Sequence, residues 1–190
     1  MSSRLKPTVK ILVAGDGGVG KTSLLNSLCY HKYNENQQLT IGMQVFCKNV
    51  KIETRRLKLQ IWDFGGQKQF REILDGFLGG SAGVILAFDS SSYKTFVNLD
   101  KWIRLLRKED IELPIILVAT KIDLGYHSMI SRDLVERYVK KHQLIDFLET
   151  SAKEQIGIEK PFKVLLKDII NLKDEKIKFQ PLIPLGGRYG

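Results

Sequence analysis

The residues most suited to chemistry lie in a glycine-rich segment, residues 15–23, which reads GDGGVGKTS and follows the apolar run 9–14. It matches the pattern G-x-x-x-x-G-K-[ST] between an apolar strand and a helix. Glycines allow successive backbone N–H groups to turn inward and surround an anion, and a following helix adds its positive N-terminal end. Lys21 can then reach the outer phosphates, and the Thr22 hydroxyl can join a Mg²⁺ shell. The segment predicts a nucleoside-triphosphate site.

Three later segments carry polar residues where a predicted strand ends. They read IWDFGGQKQF at 61–70, ATKID at 119–123 and ETSAK at 149–153. In an open parallel sheet, ligands bind outside the carboxyl ends of the strands. We therefore expect all four segments to meet at one rim of the sheet.

The elements that position these segments follow from hydrophobic periodicity. The predicted strands are 8–14, 44–53, 57–63, 83–89, 115–120 and 145–150. The predicted helices are 21–31, 94–108, 131–142 and 158–171. Strands and helices alternate except at 44–63, where residues 53–56 leave no room for a helix and predict an antiparallel hairpin. The pattern predicts an α/β fold: a six-stranded, mostly parallel sheet with one antiparallel strand and helices on both faces.

Composition limits the class of protein. The chain has 190 residues, 43% of them hydrophobic, a formal charge of +9 and two cysteines, Cys29 and Cys47. That length suits one domain. No apolar run approaches a membrane span, and the first residues lack the apolar core of a signal peptide. Two cysteines make no disulfide framework, so we expect a cytoplasmic, reducing setting. The charge alone leaves phosphate ligands, nucleic acid and anionic lipid open as partners.

Taken in order, the four segments and Thr40 resemble the motifs of small GTPases of the Ras superfamily, P-loop proteins with a small G domain. The resemblance covers about residues 7–172 and leaves 173–190 as a basic and apolar C-terminal extension. The triplet 40–42 is Rab-like, whereas Trp62-Asp63 followed by 65–67 is closer to Arf and Roc domains. No subfamily is assigned on this basis.

The resemblance implies the residues that bind the nucleotide. They are Asp16, Gly17, Gly18, Val19, Gly20, Lys21, Thr22, Ser23, Tyr33, Thr40, Gly66, Thr120, Lys121, Asp123, Ser151, Ala152 and Lys153. Backbone amides of 16–23 would surround the phosphates. Tyr33 corresponds to an aromatic residue at the guanine edge, although a helix-end aromatic packed in the core is an alternative role for it.

The same resemblance implies a metal and a catalytic group. Thr22 and Thr40 correspond to the hydroxyl ligands of Mg²⁺, and Asp63 corresponds to the residue that holds the metal through water. Lys21 and Gly66 would contact the γ-phosphate, and Gln67 would orient the attacking water.

Base selection is implied by Asp123, since its carboxylate can accept two hydrogen bonds from guanine and adenine offers no such pair of donors. Lys121 would lie along the ring, and the Ala152 N–H would meet the guanine carbonyl oxygen. Most family members have asparagine where this chain has Thr120. A single hydroxyl predicts a weaker or rearranged contact, to the base or to the P-loop.

The function implied is a GTP-binding switch for signalling or trafficking, with switch I near 34–42 and switch II near 65–77. Residues 34–39 contain no arginine, so hydrolysis should be slow without an activating partner. An exchange factor and effectors are expected as well, with no nucleic acid and a monomeric chain. An alternative is a nucleotide-binding module of a larger assembly in which hydrolysis is incidental.

Residue 2 is serine and no cysteine lies near residue 190, so we expect no lipid anchor. The extension 173–190 could be flexible, could dock on the domain, or could bind a partner or a membrane. Its basic residues allow reversible contact with an anionic membrane, so a peripheral location is a second expectation.

Overall fold

The computed structural model describes residues 7–52, 55–66, 75–170 and 177–179. Within these ranges, seven strands form one sheet in the order β6-β5-β4-β1-β3-β2-β7. The strands are β1 (Thr8–Ala14), β2 (Met43–Ile52), β3 (Arg55–Phe64), β4 (Gly83–Asp89), β5 (Ile115–Thr120), β6 (Phe147–Glu149) and β7 (Ile177–Phe179). The helices are α1 (Lys21–Tyr30), α2 (Asp75–Leu78), α3 (Tyr93–Val97), α4 (Leu99–Glu109), α5 (Arg132–Lys141) and α6 (Lys160–Ile169), with a short 3-10 helix at Ile122–Leu124.

The predicted fold class is confirmed. Strands β1, β3, β4, β5 and β6 run parallel, and β2 pairs antiparallel with β3 from Met43 opposite Phe64 to Ile52 opposite Arg55. Two apolar clusters pack on the two faces of the sheet, one containing Phe162 and the other Trp102. Central strands β4 and β5 are buried along their whole length, as expected for parallel strands covered on both faces.

The tail adds a strand that the sequence analysis did not predict. β7 pairs antiparallel with the end of β2, where Val50 lies opposite Phe179. The Phe179 ring stands edge-on to the Phe162 ring, with centroids 6.5 Å apart. Residues 177–179 therefore dock on the domain, which is one of the three possible roles of the extension.

Most predicted elements agree with the structure to within two residues at each end, whereas one helix is divided and one strand is half its predicted length. The helix predicted at 94–108 is divided at Asn98 into α3 and α4, and the Asn98 side chain is engaged in a contact with residue 16. The strand predicted at 145–150 is shortened to β6, although the N–H groups of Ile145 and Thr150 still donate to the carbonyl oxygens of Ile115 and Ala119 in β5.

The cysteines lie where expected, Cys29 in α1 and Cys47 in β2, and both are free thiols. Burial raises the pKa of the Cys29 thiol to about 11. Among the described residues, no helix is both long and apolar enough to cross a membrane.

Candidate nucleotide-binding site

The glycine-rich loop between β1 and α1 depends on the absence of side chains at two positions. A Cβ at Gly15 would lie 2.2 Å from the Ala87 carbonyl oxygen of β4. Gly20, which precedes α1, has φ of +96°, a conformation that glycine adopts at little cost. The loop can therefore lie against the sheet and turn directly into α1, with the first-turn N–H groups of that helix unshielded by any side-chain cap.

The Lys21 side chain bonds the backbone of the glycine-rich loop. Its Nζ donates to the carbonyl oxygens of Gly15 and Asp16, both at 2.8 Å, and the residue is only 5% exposed. A lysine ammonium has three protons. An anion in the loop would therefore meet a positive charge that the loop already holds in position.

Two hydroxyls and a carboxylate converge beside Lys21. The Thr22 Oγ1 lies 2.5 Å from Asp63 Oδ2 and 2.6 Å from Thr40 Oγ1. Asp63 is fully buried, and its Oδ1 has no hydrogen-bond partner among the described residues. Burial raises the pKa of this carboxyl, an effect opposed by the Lys21 charge and by hydrogen bonds from the two threonines. The three side chains come from α1, from the segment before β2, and from β3.

This donor set fits a magnesium ion. Mg²⁺ takes oxygen ligands and usually keeps several waters, with few carboxylates and with substrate phosphates completing the shell. Two hydroxyls and one buried carboxylate oxygen without a partner match that requirement. Among the described residues, no group of three or more His, Cys, Asp or Glu side chains is arranged so that it could hold a metal ion.

Gly66 follows β3 and presses against the glycine-rich loop. A Cβ at Gly66 would lie 2.1 Å from the Asp16 carbonyl carbon and 2.1 Å from the Gly17 nitrogen. Only a glycine allows this approach, which brings the backbone after Asp63 against the loop. Gln67, the predicted water-orienting residue, lies outside the described residues.

At the other end of the site, Thr120 bonds the backbone. Its Oγ1 is within hydrogen-bond distance of the carbonyl oxygens of Val19 and Phe88, and the residue is 3% exposed. Of the two contacts considered for this hydroxyl, the P-loop contact is therefore present. Since both oxygens are acceptors, the single hydroxyl proton serves the protein backbone.

The neighbouring residues of the ATKID and ETSAK segments meet across β5 and β6. Asp123 Oδ1 accepts from Ser151 Oγ at 2.5 Å, and Lys121 Nζ pairs with Asp89 Oδ2 at 2.7 Å. Lys121 has φ of +57°, an uncommon backbone conformation for a side-chain-bearing residue that is concentrated at functional sites. The segment thus fixes two oppositely charged side chains at the end of β5.

A cavity of 310 Å³ connects the glycine-rich loop with this end of β5. The predicted residues that line it are Gly17, Gly18, Gly20, Lys21, Thr22, Ser23, Tyr33, Thr40, Gly66, Thr120, Lys121, Asp123, Ala152 and Lys153. The predicted residues Asp16, Val19, Asp63 and Ser151 lie directly behind that lining, each next to or bonded to a lining residue. The four segments therefore meet at one rim, as predicted.

Tyr33 lies at the cavity wall and is 41% exposed. The alternative of a core aromatic is wrong, because its ring does not belong to either apolar cluster.

The cavity has further lining residues that the sequence motifs do not single out. They are Leu24, Asn34, Glu35, Gln37, Gln38, Leu39, Leu124 and Thr150. Several of them directly adjoin motif residues, which is the one signal that could have indicated them.

Comparison with known proteins agrees with the fold and the site. The family model described as "Ras family" matches residues 10–171. The chain belongs to the Ras family, whose members are GTP-binding switch proteins and GTPases.

Similar curated proteins carry Rab names. The chain is 32% identical over 179 residues to "Ras-related protein Rab-7a" of Dictyostelium discoideum, covering 92% of this chain and 88% of that protein. It is 32% identical over 189 residues to "Ras-related protein RABG3b" of Arabidopsis thaliana, covering 95% and 93%. It is 34% identical over 163 residues to "Ras-related protein Rab-13" of Rattus norvegicus, covering 85% and 79%. Family membership makes this chain a guanine-nucleotide-binding switch with regulator and effector partners.

Proposed function

We propose that the 310 Å³ cavity is the GTP and GDP site of this switch and that it holds Mg²⁺ beside the β- and γ-phosphates. The convergence of Thr22, Thr40 and Asp63 carries this proposal. The three side chains come from separate segments of the chain, and the Thr22 Oγ1 lies within 2.6 Å of both the Thr40 Oγ1 and the Asp63 Oδ2. A bound Mg²⁺ supplies positive charge that stabilises the phosphates as negative charge shifts between them.

Several residues of the chain bind and orient the phosphates, each in a different way. The Lys21 ammonium and the amides of 16–23 neutralise and orient the phosphate oxygens. Gly66 donates its backbone N–H to the γ-phosphate, an approach favoured by its contact with the Asp16–Gly17 peptide. Gln67 orients the water that attacks the γ-phosphorus, a role taken from its position in the family motif.

At the base, Asp123 accepts the two N–H donors of guanine while the Ser151 hydroxyl holds the carboxylate in place. The Lys121 stem lies along the ring, and the Ala152 N–H donates to the guanine carbonyl oxygen. Tyr33 covers the exposed edge of the nucleotide. The Thr120 hydroxyl ties β5 to the P-loop and leaves base recognition to Asp123.

Switch behaviour follows from the position of Thr40. Its hydroxyl contacts Thr22 across the site, so a γ-phosphate and its metal would hold switch I near 34–42, and their loss would release it. Residues 34–39 supply no arginine. We therefore expect slow intrinsic hydrolysis and acceleration by a partner that supplies one, worth about 10³–10⁵ in rate.

The proposal extends to the chain as a whole. The G domain spans 7–172 and the extension 173–190, with 177–179 docked as β7. The chain acts as a cytoplasmic monomer, and its basic residues permit reversible contact with an anionic membrane, at about 1 kcal/mol per lysine or arginine near the surface.

The test is Lys21→Ala, with Lys140→Ala on the exposed end of α5 as a matched control. The affinity for fluorescent GDP and GTP should fall by about ten- to a hundredfold for Lys21→Ala, because a charge-assisted contact worth about 1.5–3 kcal/mol is lost. The control should bind like the unmodified chain. Near-native affinity of Lys21→Ala would contradict the proposed site.

A further inference from the structure

The side chain of Asp16 points out of the nucleotide cavity and into the protein. Its Oδ2 accepts from Asn98 Nδ2 at 2.6 Å, and its Oδ1 accepts from Trp102 Nε1 at 2.9 Å. Asn98 and Trp102 belong to the start of α4, so these two bonds join the glycine-rich loop to a helix more than 80 residues away. Each carboxylate oxygen has its own N–H donor.

The donors are themselves held in place. Trp102 is 1% exposed and belongs to the apolar cluster on its face of the sheet. Asn98 stands at the junction of α3 and α4, and its Oδ1 accepts from Lys101 Nζ at 2.8 Å. That contact orients the Asn98 amide with its Nδ2 toward Asp16.

The backbone of Asp16 occupies a central place in the site. Its carbonyl oxygen accepts from Lys21 Nζ at 2.8 Å. Its peptide bond to Gly17 is the surface against which Gly66 packs, where an added Cβ would lie 2.1 Å away. A rotation of this peptide would therefore displace both the lysine and the backbone segment that faces the γ-phosphate.

We propose that Asp16, Asn98 and Trp102 form a positioning clamp that holds the 16–17 peptide in its nucleotide-binding orientation. The three side chains act through Lys21 and Gly66 and do not themselves contact the ligand. It also directs the Asp16 charge onto two N–H donors and away from the phosphates, which a carboxylate facing the cavity would repel. The proposal rests on the proposed nucleotide site.

Exchange of the donor and the acceptor tests the clamp. Asn98→Asp places a carboxylate against the Asp16 carboxylate, and dissociation of a fluorescent GDP from the full chain should accelerate about tenfold. Combining it with Asp16→Asn re-forms an amide–carboxylate pair of the opposite sense while the substituted amide oxygen still accepts from Trp102. The double variant should return to within about threefold of the unmodified rate, a rescue that mere loss of stability would not produce.

Controls separate the clamp from the fold and from the site. Asp133→Asn makes the same chemical change as Asp16→Asn on the exposed face of α5 and should leave the rate unchanged. Trp102→Phe removes the indole N–H together with part of the buried ring, and release measured well below its Tm should accelerate severalfold, so this variant tests the clamp if Asn98→Asp does not fold.

Two results would overturn the clamp. The first is unchanged release from folded Asn98→Asp or Trp102→Phe, and the second is a double variant no better than Asn98→Asp alone. In either case, tight GDP binding by the unmodified chain would leave the proposed site intact. Failure of the unmodified chain to bind labelled GDP would instead contradict the proposed site and, with it, the clamp.

Discussion

The Thr120 hydroxyl bonds the Val19 carbonyl, which joins the end of β5 to the glycine-rich loop 101 positions earlier in the chain. The hydroxyl also reaches the Phe88 carbonyl of β4 and is buried. One short side chain therefore connects three segments around the nucleotide cavity. The asparagine that most family members carry at this position has two donor protons and an acceptor, so the threonine retains a P-loop contact with less bonding capacity.

Thr120→Val tests this connection, because valine keeps the shape and removes the hydroxyl. We expect nucleotide dissociation to accelerate and stability to fall by about 1–3 kcal/mol, since buried carbonyl oxygens lose their partner. Thr120→Ser retains the hydroxyl and serves as the control. Stopped-flow release of fluorescent GDP and thermal unfolding measure the two effects. Equal behaviour of the valine and serine variants would mean that the hydroxyl bond contributes nothing.

Asp123→Asn tests base recognition. The substitution replaces two acceptors with one acceptor and one donor, so the amino group of guanine would face a donor, whereas xanthine presents a carbonyl oxygen there. Each mispaired buried polar group costs about 1–3 kcal/mol, so preference should shift from GTP toward XTP by more than about tenfold. Competition of unlabelled GTP, XTP and ATP against a fluorescent nucleotide measures the preference. Retained GTP preference would show that Asp123 does not select the base.

Gln67→Leu tests the division between binding and hydrolysis. The side chain is proposed to orient water without holding the ligand, so single-turnover GTP hydrolysis should fall strongly while GTP and GDP affinities stay within about twofold. If hydrolysis is incidental to an interaction module, the variant should hydrolyse GTP at the same slow rate as the unmodified chain. Parallel losses of affinity and rate would indicate that Gln67 shapes the pocket.

Asp63→Asn tests the metal site. Burial raises the pKa of this carboxyl despite the Lys21 charge and the two threonine hydrogen bonds, which means that ionisation of the buried group opposes folding as the pH rises above its unfolded-state pKa. Without nucleotide and with EDTA, the asparagine variant should therefore be at least as stable as the unmodified chain at pH 7.5. Added Mg²⁺ should slow GDP release from the unmodified chain and leave release from the variant unchanged. A variant that responds equally to Mg²⁺ would place the metal elsewhere.

Sequence patterns predicted the parts of this protein that local chemistry determines. The loop 15–23, Asp63 and Asp123 have the residue types and spacing that the proposed phosphate, metal and base sites require, and hydrophobic periodicity predicts that they lie at or just beyond the ends of strands. The sequence does not determine the Thr120 contact, because a hydroxyl at this position can bond either the base or the loop. The Asp16 clamp could not be predicted, since it joins residues that are 82 and 86 positions apart.

The tail strand escaped prediction for a different reason. Residues 177–179 are too short for a periodic signal, and their pairing partner Val50–Ile52 already had a predicted partner in β3. What determines their position is the open edge of β2 together with the apolar surface around Phe162. Neither feature is visible in the local sequence of the tail.

Phe179→Ala tests the contribution of this strand. The ring packs against Phe162 and lies 5.8 Å from Lys163 Nζ, so its truncation should lower stability by about 1–2 kcal/mol, or roughly 2–8 °C in Tm. Nucleotide dissociation should not change, because β7 pairs with the end of β2 that lies farthest from Thr40 and the cavity.

Deletion of residues 173–190 should have the same effect as Phe179→Ala, a lower Tm with unchanged GDP release. Tyr126→Phe, whose hydroxyl bonds Glu149 at 2.6 Å on the exposed surface, provides an aromatic control for the thermal measurement. Accelerated GDP release from Phe179→Ala at temperatures well below its Tm would show instead that the tail strand supports the nucleotide site through β2.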